Sequence, residues 1–330
     1  MFDTPIFSTA SKIIKEPDFA ISYDQAMELA QLPESQTMDL LAFANKIREH
    51  YKGRKVFTCS ITNAKSGRCS ENCAFCAQSA HHNTHIKTYD LLPEDTFADQ
   101  AAAFQKQGAT QYSMVTSGQN PSHAEIQTIC SATAKIAAST HMTTCASLGM
   151  LDDAKAQMLS QSGVKRYHHN LETARSYFDQ ICTTHKYDDN IGTIRAARQA
   201  GMHICSGGIF GLGETWAQRL ELAFTLKELD VDSVPINFLN PIQGTRLQDR
   251  PLLSPIEALK SIALVRFILP DKDITICGGR EITLKDFQSW VFFAGANGLM
   301  IGNYLTTQGR SIDTDIDMIR ELGFTIEPAV

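Results

Sequence analysis

The chain has 330 residues, 43% of them hydrophobic and 20% charged, with a formal net charge of -6. This composition excludes disordered and collagen-like chains, and the acidic balance argues against a basic face for nucleic acid or anionic lipid, so a small-molecule partner is expected. With no apolar run of membrane-spanning length and no signal-peptide core near the start, a cytoplasmic protein is expected.

In chain order, residues 1–50 place Ala26, Leu29 and Ala30, then Leu40, Leu41, Ala44 and Ile47, at helical spacing, which predicts a helical extension. From 51 to 330 a single domain is expected, because short β-rich segments alternate with longer amphipathic ones. The strand segments are 56–61, 111–116, 143–148, 165–170, 203–209, 233–238, 274–276 and 298–301. The helical ones are 94–107, 122–138, 152–161, 188–200, 214–229, 255–268 and 284–293. Pro93-Glu94 opens one helix where a missing N–H costs nothing. Gly108, Gly163 and Gly201 fall where C-terminal caps take positive φ. The repeats predict the α/β class and a (β/α)8 TIM-type barrel, with binding residues at the C-terminal strand ends and in the loops that follow. A doubly wound open sheet is the competing architecture.

Nine cysteines without a secretion signal make metal or redox chemistry the leading reading. Cys69, Cys73 and Cys76 crowd one loop just after the first strand. Cys59, Cys130, Cys145, Cys182, Cys205 and Cys277 are scattered, with Cys130 and Cys182 read as core or surface cysteines of helices. A structural zinc site would want four ligands, and His81, His82 and His85 of the HHNTH segment read instead as a solvated loop. Three thiolates on a four-iron cubane leave one iron without a protein ligand, where a cosubstrate can bind.

With this Cys-x3-Cys-x2-Cys spacing the chain resembles the radical S-adenosylmethionine (SAM) enzymes. The resemblance implies that the open iron of a 4Fe-4S cluster chelates SAM, and that electron transfer cleaves SAM to a 5′-deoxyadenosyl radical. It puts the aromatic Phe75 against the adenine, Ser117 and Gly118 near the SAM amino group, and Ile209, Gly211 and Glu214 of GGIFGLGE at the adenine. The segments NAKSGRCSENCAFCAQS, YHHNLET, CSGGIFGLGET, VPINFL, GGRE and AGANGLMIGNYLTT narrow the resemblance, from about residue 52 to 324, to the biotin synthase family. That implies insertion of sulfur between two unactivated carbons of dethiobiotin, with the sulfur taken from a second, auxiliary iron-sulfur cluster in the barrel. C–H bonds this strong and this weakly acidic require a radical generator rather than side-chain acid–base chemistry. Asn170 and Glu172 are implied at the SAM ribose and the dethiobiotin ureido region, Asn237 at the ureido ring, and Thr306 and Thr307 at the carboxylate tail. Amides and hydroxyls suit a neutral urea.

The chain departs from the family pattern of three cysteines and an arginine around a two-iron auxiliary cluster. Cys145 and Cys205 match, but Ser113 and Thr275 stand at the other two places. Cys277, two residues beyond Thr275, faces the same side of its strand by period-two alternation. A ligand set of Cys145, Cys205 and Cys277 is therefore expected, suited to a second four-iron cluster with an open iron or an extra sulfide; Cys59 is a candidate fourth ligand, with a small buried hydrophobe as its alternative. His168 replaces the family's first asparagine in its segment, and Asn190 replaces an arginine near the SAM carboxylate, with Arg195 either a substitute or a solvated helix residue. His203 reads as structural. The alternatives are a hydrogenase-maturase-like enzyme on the same barrel and a non-catalytic metal-binding or sulfur-storage protein. A flavodoxin- or ferredoxin-class electron donor and a homodimer are expected.

Overall fold

The computed structural model describes residues 4–328. Ten strands run β1 (Lys55–Lys65), β2 (Gln111–Thr116), β3 (Thr143–Ser147), β4 (Arg166–His168), β5 (His203–Cys205), β6 (Gly208–Phe210), β7 (Ser233–Phe238), β8 (Asp273–Ile276), β9 (Gly298–Met300) and β10 (Thr325–Ile326). All of their pairings are parallel, and β9 pairs back onto β1, so the sheet closes into an eight-position barrel with β10 appended outside β1. The barrel expectation holds and the open-sheet alternative falls.

The described residues form the α-helices α1 (Pro5–Lys15), α2 (Tyr23–Ala30), α3 (Thr37–Lys52), α4 (Glu94–Lys106), α5 (His123–Ser139), α6 (Asp153–Ser162), α7 (Arg175–Ile181), α8 (Tyr187–Gln199), α9 (Trp216–Glu228), α10 (Pro255–Ile268), α11 (Arg280–Leu284), α12 (Trp290–Phe293) and α13 (Ile312–Glu321). Reciprocal capping boxes open α5 at Ser122 and α9 at Thr215, each satisfying end N–H groups that the helix cannot. Helices α2, α3 and α9 pack on α10, with α1 laid on α3, which is why α10 is buried almost all round and reads as apolar without a polar face. None of the described helices is long and apolar enough to cross a membrane.

Several element boundaries differ from the sequence expectation, among them the strand expected at 165–170, which spans only Arg166–His168. The segment 203–209 is broken into β5 and β6, because Gly207 lies so close to Pro235 of β7 that a Cβ there would sit 2.0 Å from the Pro235 carbonyl oxygen. Proline also offers no N–H to continue the ladder. The segment 284–293 is not one helix: Lys285 takes φ 50° and separates α11 from a short turn and α12. Strand β1 is longer than expected and carries Asn63 and Lys65 up to the barrel mouth. Helices α7 and α13 and strand β10 were not expected at all.

Candidate active site

The loop after β1 wraps its three thiols around a turn. The Cys76 N–H donates to the Cys73 carbonyl at 3.0 Å, the Cys69 N–H to the Gln78 carbonyl at 3.0 Å, and the Ala80 N–H to the Cys69 carbonyl at 2.8 Å. Gly67 starts the turn at φ +77°, donating its N–H to Gln78 Oε1 at 3.1 Å and accepting from Ser117 Oγ at 2.7 Å. The second strand's end is thus bonded directly to the cysteine loop. Beside it, Gly149 at φ +88° lets the turn after β3 pass under the Gln119 carbonyl, where a Cβ would come to 2.3 Å.

These turns enclose a cavity of about 270 Å³ at the barrel mouth, lined by Cys69, Cys73 and Cys76 together with Phe75, Ser117, Gly118, Asn170 and Glu172. Glu172 takes a left-handed φ of 66°, and burial pushes its carboxyl up to about 7. Asn170 fixes it, donating from Nδ2 to Glu172 Oε2 at 3.3 Å and accepting the Gly207 N–H at 3.1 Å. Burial raises the Cys76 thiol to about 11. Three neighbouring thiols with no fourth cysteine from the same turn, opening on space of this size, fit a cubane with one iron facing a cosubstrate.

Six expected residues do not line this cavity. Ile209 packs in a small apolar cluster with Phe75, Ala74 and Leu212 behind the wall. Glu214 holds the turn at residues 211–213 together, accepting the Gly211 N–H at 2.8 Å and the Gly213 N–H at 3.0 Å while pairing with Arg219 at 2.7 Å. Gly211 lies in that turn at φ +95°. Asn237 bridges the ends of β6 and β8, donating to the Gly208 carbonyl at 3.3 Å and accepting the Gly278 N–H at 3.0 Å. Thr306 and Thr307 lie in the loop after β9; their neighbour Leu305 reaches the cavity, and Asn63 Nδ2 ties the Leu305 carbonyl down at 2.9 Å.

Three wall residues escaped the sequence reading. Cys182 is not in a helix: it follows α7 and lines the cavity with Glu71 and His185. His185 Nδ1 lies 2.5 Å from Glu71 Oε2 and 3.2 Å from Cys182 Sγ. Burial works against the imidazolium, but these two partners hold His185 up at about 9. Glu71 is masked in sequence by its place between two cysteines, and Cys182 by isolation, since its neighbours are set only by how α7 ends. Nor is the histidine segment wholly solvated: His82 Nδ1 meets the Cys76 carbonyl at 2.8 Å. Asn190 lines the cavity and bonds His169 at 2.9 Å, whereas Arg195 is exposed on α8.

A second, narrower cavity of about 30 Å³ lies inside the barrel, lined by Cys59, Cys145, Cys205 and Cys277 with Ser113 and Thr275. Strand register explains the convergence: Cys145 is level with Ser113 on β2 and with Arg166 on β4, and Cys205 is level with His168. Thr275 and Cys277 both face inward, as the two-residue alternation requires. Burial raises all four thiols, Cys145 to about 12. Ser113 Oγ, Ser233 Oγ and Gln111 Nε2 are buried around this cavity without hydrogen-bond partners. Such donors leave a cost that a sulfide-bearing group among the thiols would relieve, so the residues fit an iron-sulfur cluster. Among the described residues, His168 alone lines both cavities.

Residues 64–226 match the Radical SAM superfamily, and residues 235–325 match the Biotin and Thiamin Synthesis associated domain. The chain is 56% identical over 320 residues to the biotin synthase of Syntrophus aciditrophicus, covering 97% of this chain and 98% of the relative, and 53% identical over 307 residues to that of Geotalea uraniireducens, covering 93% of each. Its fold is similar to methylornithine synthase (TM-score 0.83, 18% identity, covering 98% of this chain and 97% of the other). It is also similar to an FeFe-hydrogenase maturase from Carboxydothermus hydrogenoformans (TM-score 0.81, 17% identity, covering 98% and 80%).

Proposed function

The chain belongs to the biotin synthase family of radical SAM enzymes, and from that membership we propose how its own residues divide the conversion of dethiobiotin to biotin between the two cavities. Its identity to biotin synthases together with its C-terminal domain favours this activity over that of a hydrogenase maturase, which the chain matches in fold alone. The observation that carries the reading is the stacking of a mouth cavity with three loop thiols over an interior cavity with four strand thiols, joined at His168.

When bound, a 4Fe-4S cluster at Cys69, Cys73 and Cys76 supplies the electron for SAM cleavage, and an auxiliary cluster supplies the sulfur. Phe75, Ser117 and Gly118 bind SAM at the mouth, and Asn170 and Glu172 orient its ribose. Glu214 keeps the 211–213 turn shaped behind the adenine, with Ile209 packed against Phe75. Asn237, anchored to backbone at both ends of its amide, presents a fixed edge to the ureido ring, and Thr306 and Thr307 meet the carboxylate tail. Burial keeps His168 neutral between the cavities, so that it excludes water without adding charge beside the substrate carbons. Cys145, Cys205 and Cys277 hold the auxiliary cluster, of four-iron type, with Cys59 facing the same space. An electron donor of the flavodoxin or ferredoxin class and a homodimeric assembly complete the reading.

Anaerobic reconstitution with iron and sulfide, followed by turnover with SAM and dethiobiotin, tests it. Biotin and 5′-deoxyadenosine are the expected products. SAM cleavage without any biotin would overturn the assignment of the interior cavity.

A further inference from the structure

The interior cavity contains a charge that none of the roles above uses. Arg166, on β4, is 3% exposed and lines the space between the strand thiols; among the described residues it is the one permanently charged side chain that does so. The barrel register sets it level with Cys145 on one side, and two residues before His168, which is level with Cys205 on the other. Its Nη2 also lies 3.9 Å from Asp273 Oδ2, and Lys52 and Asn297 hold the other oxygen of that carboxylate at 2.9 and 2.8 Å. Cys277 stands apart, next to Arg280, but that guanidinium is occupied by Asp315 and Gln288 outside the cavity.

We propose that Arg166 is the charge-setting and positioning residue of the interior cavity: its guanidinium offsets the negative charge that thiolate ligands at Cys145 and Cys205 bring into the barrel, and so sets the reduction potential of the auxiliary cluster. A buried guanidinium is retained where opposite charge compensates it, and thiolates in a low-dielectric interior need the same compensation. Hydrogen bonds and net charge around the sulfurs are the protein's main levers on cluster potential. The inference rests on the auxiliary-cluster reading above.

The test uses the reconstituted holoenzyme with both clusters, in Arg166→Gln and Arg166→Lys forms, with the potential of each cluster read by EPR-monitored redox titration and the iron counted. Arg166→Gln should make the auxiliary cluster harder to reduce by at least tenfold in the one-electron equilibrium, about 59 mV. Arg166→Lys should recover most of that shift, and the mouth cluster should move far less. If Arg166→Gln assembles poorly, loss of auxiliary iron that Arg166→Lys restores supports the same role. Full iron with an unchanged auxiliary potential in Arg166→Gln overturns the proposal, as do equal shifts at both clusters or equal iron loss in both variants. A wild-type protein that holds only the mouth cluster removes the auxiliary-cluster reading itself, and the proposal with it.

Discussion

The two thiol sets are built in opposite ways. At the mouth, three cysteines lie within eight residues on one turn held by its own backbone hydrogen bonds. In the interior, Cys59, Cys145 and Cys205 come from three separate strands and Cys277 from just beyond a fourth, β8, and only barrel closure brings them face to face. The mouth cavity, about 270 Å³, opens at the barrel end, whereas the interior one, about 30 Å³, is nearly filled by the side chains that line it. A local ligand set leaves one side open for exchange. In the proposed reading, a set drawn from several strands would enclose its cluster, and period-two alternation would let a ligand shift two residues along a strand and keep its inward face.

The comparison breaks most visibly if the mouth set is not self-sufficient. Replacing Cys69, Cys73 or Cys76 singly by Ala should abolish 5′-deoxyadenosine formation, measured by chromatography after anaerobic incubation with SAM; near-normal cleavage in any one of them would sink the assignment. Next in size, Cys277→Ser should lose about half of about eight irons per chain while still cleaving SAM. Mössbauer spectra showing a two-iron interior cluster, or full iron and biotin formation in that variant, would show that the ligand set did not move from Thr275 to Cys277. A smaller effect is expected where Asn237 bridges β6 and the end of β8. Asn237→Asp should weaken dethiobiotin binding by about 1–3 kcal/mol, roughly 5- to 150-fold, through loss of one matched amide donor; unchanged calorimetric affinity would remove the ureido contact.

The smallest effect sharpens the picture of the mouth. Glu172 has its pKa raised by burial to about 7, so folding favours its protonated form; its contribution to stability is present at acid pH and is lost as pH rises through about 7. SAM affinity should move the other way, rising with pH as the carboxylate becomes a full acceptor for the ribose hydroxyls and levelling off above about 7. Glu172→Gln should flatten this profile and cost roughly tenfold in affinity at the plateau, in keeping with the loss of a charge-assisted bond. A profile that keeps its slope in the glutamine variant would assign the titration to another group.

Much of this was legible without coordinates because it is local or periodic. The cysteine triplet is a short-range pattern, the βα alternation follows from hydrophobic period, and Gly163 and Gly201 cap helices with φ +105° and +85° because only glycine takes those angles without strain. Cys277 could be placed on the inner face from its two-residue offset alone. What the sequence could not place are residues whose neighbours come from elsewhere in the chain. Cys182 and His185 join Glu71 across more than a hundred residues, and the break between β5 and β6 comes from Pro235 on another strand. Arg166 in sequence is one more arginine before a tyrosine. Only the register of β3, β4 and β5 sets it beside the thiols, because the residues level with it come from strands that the local sequence does not contain.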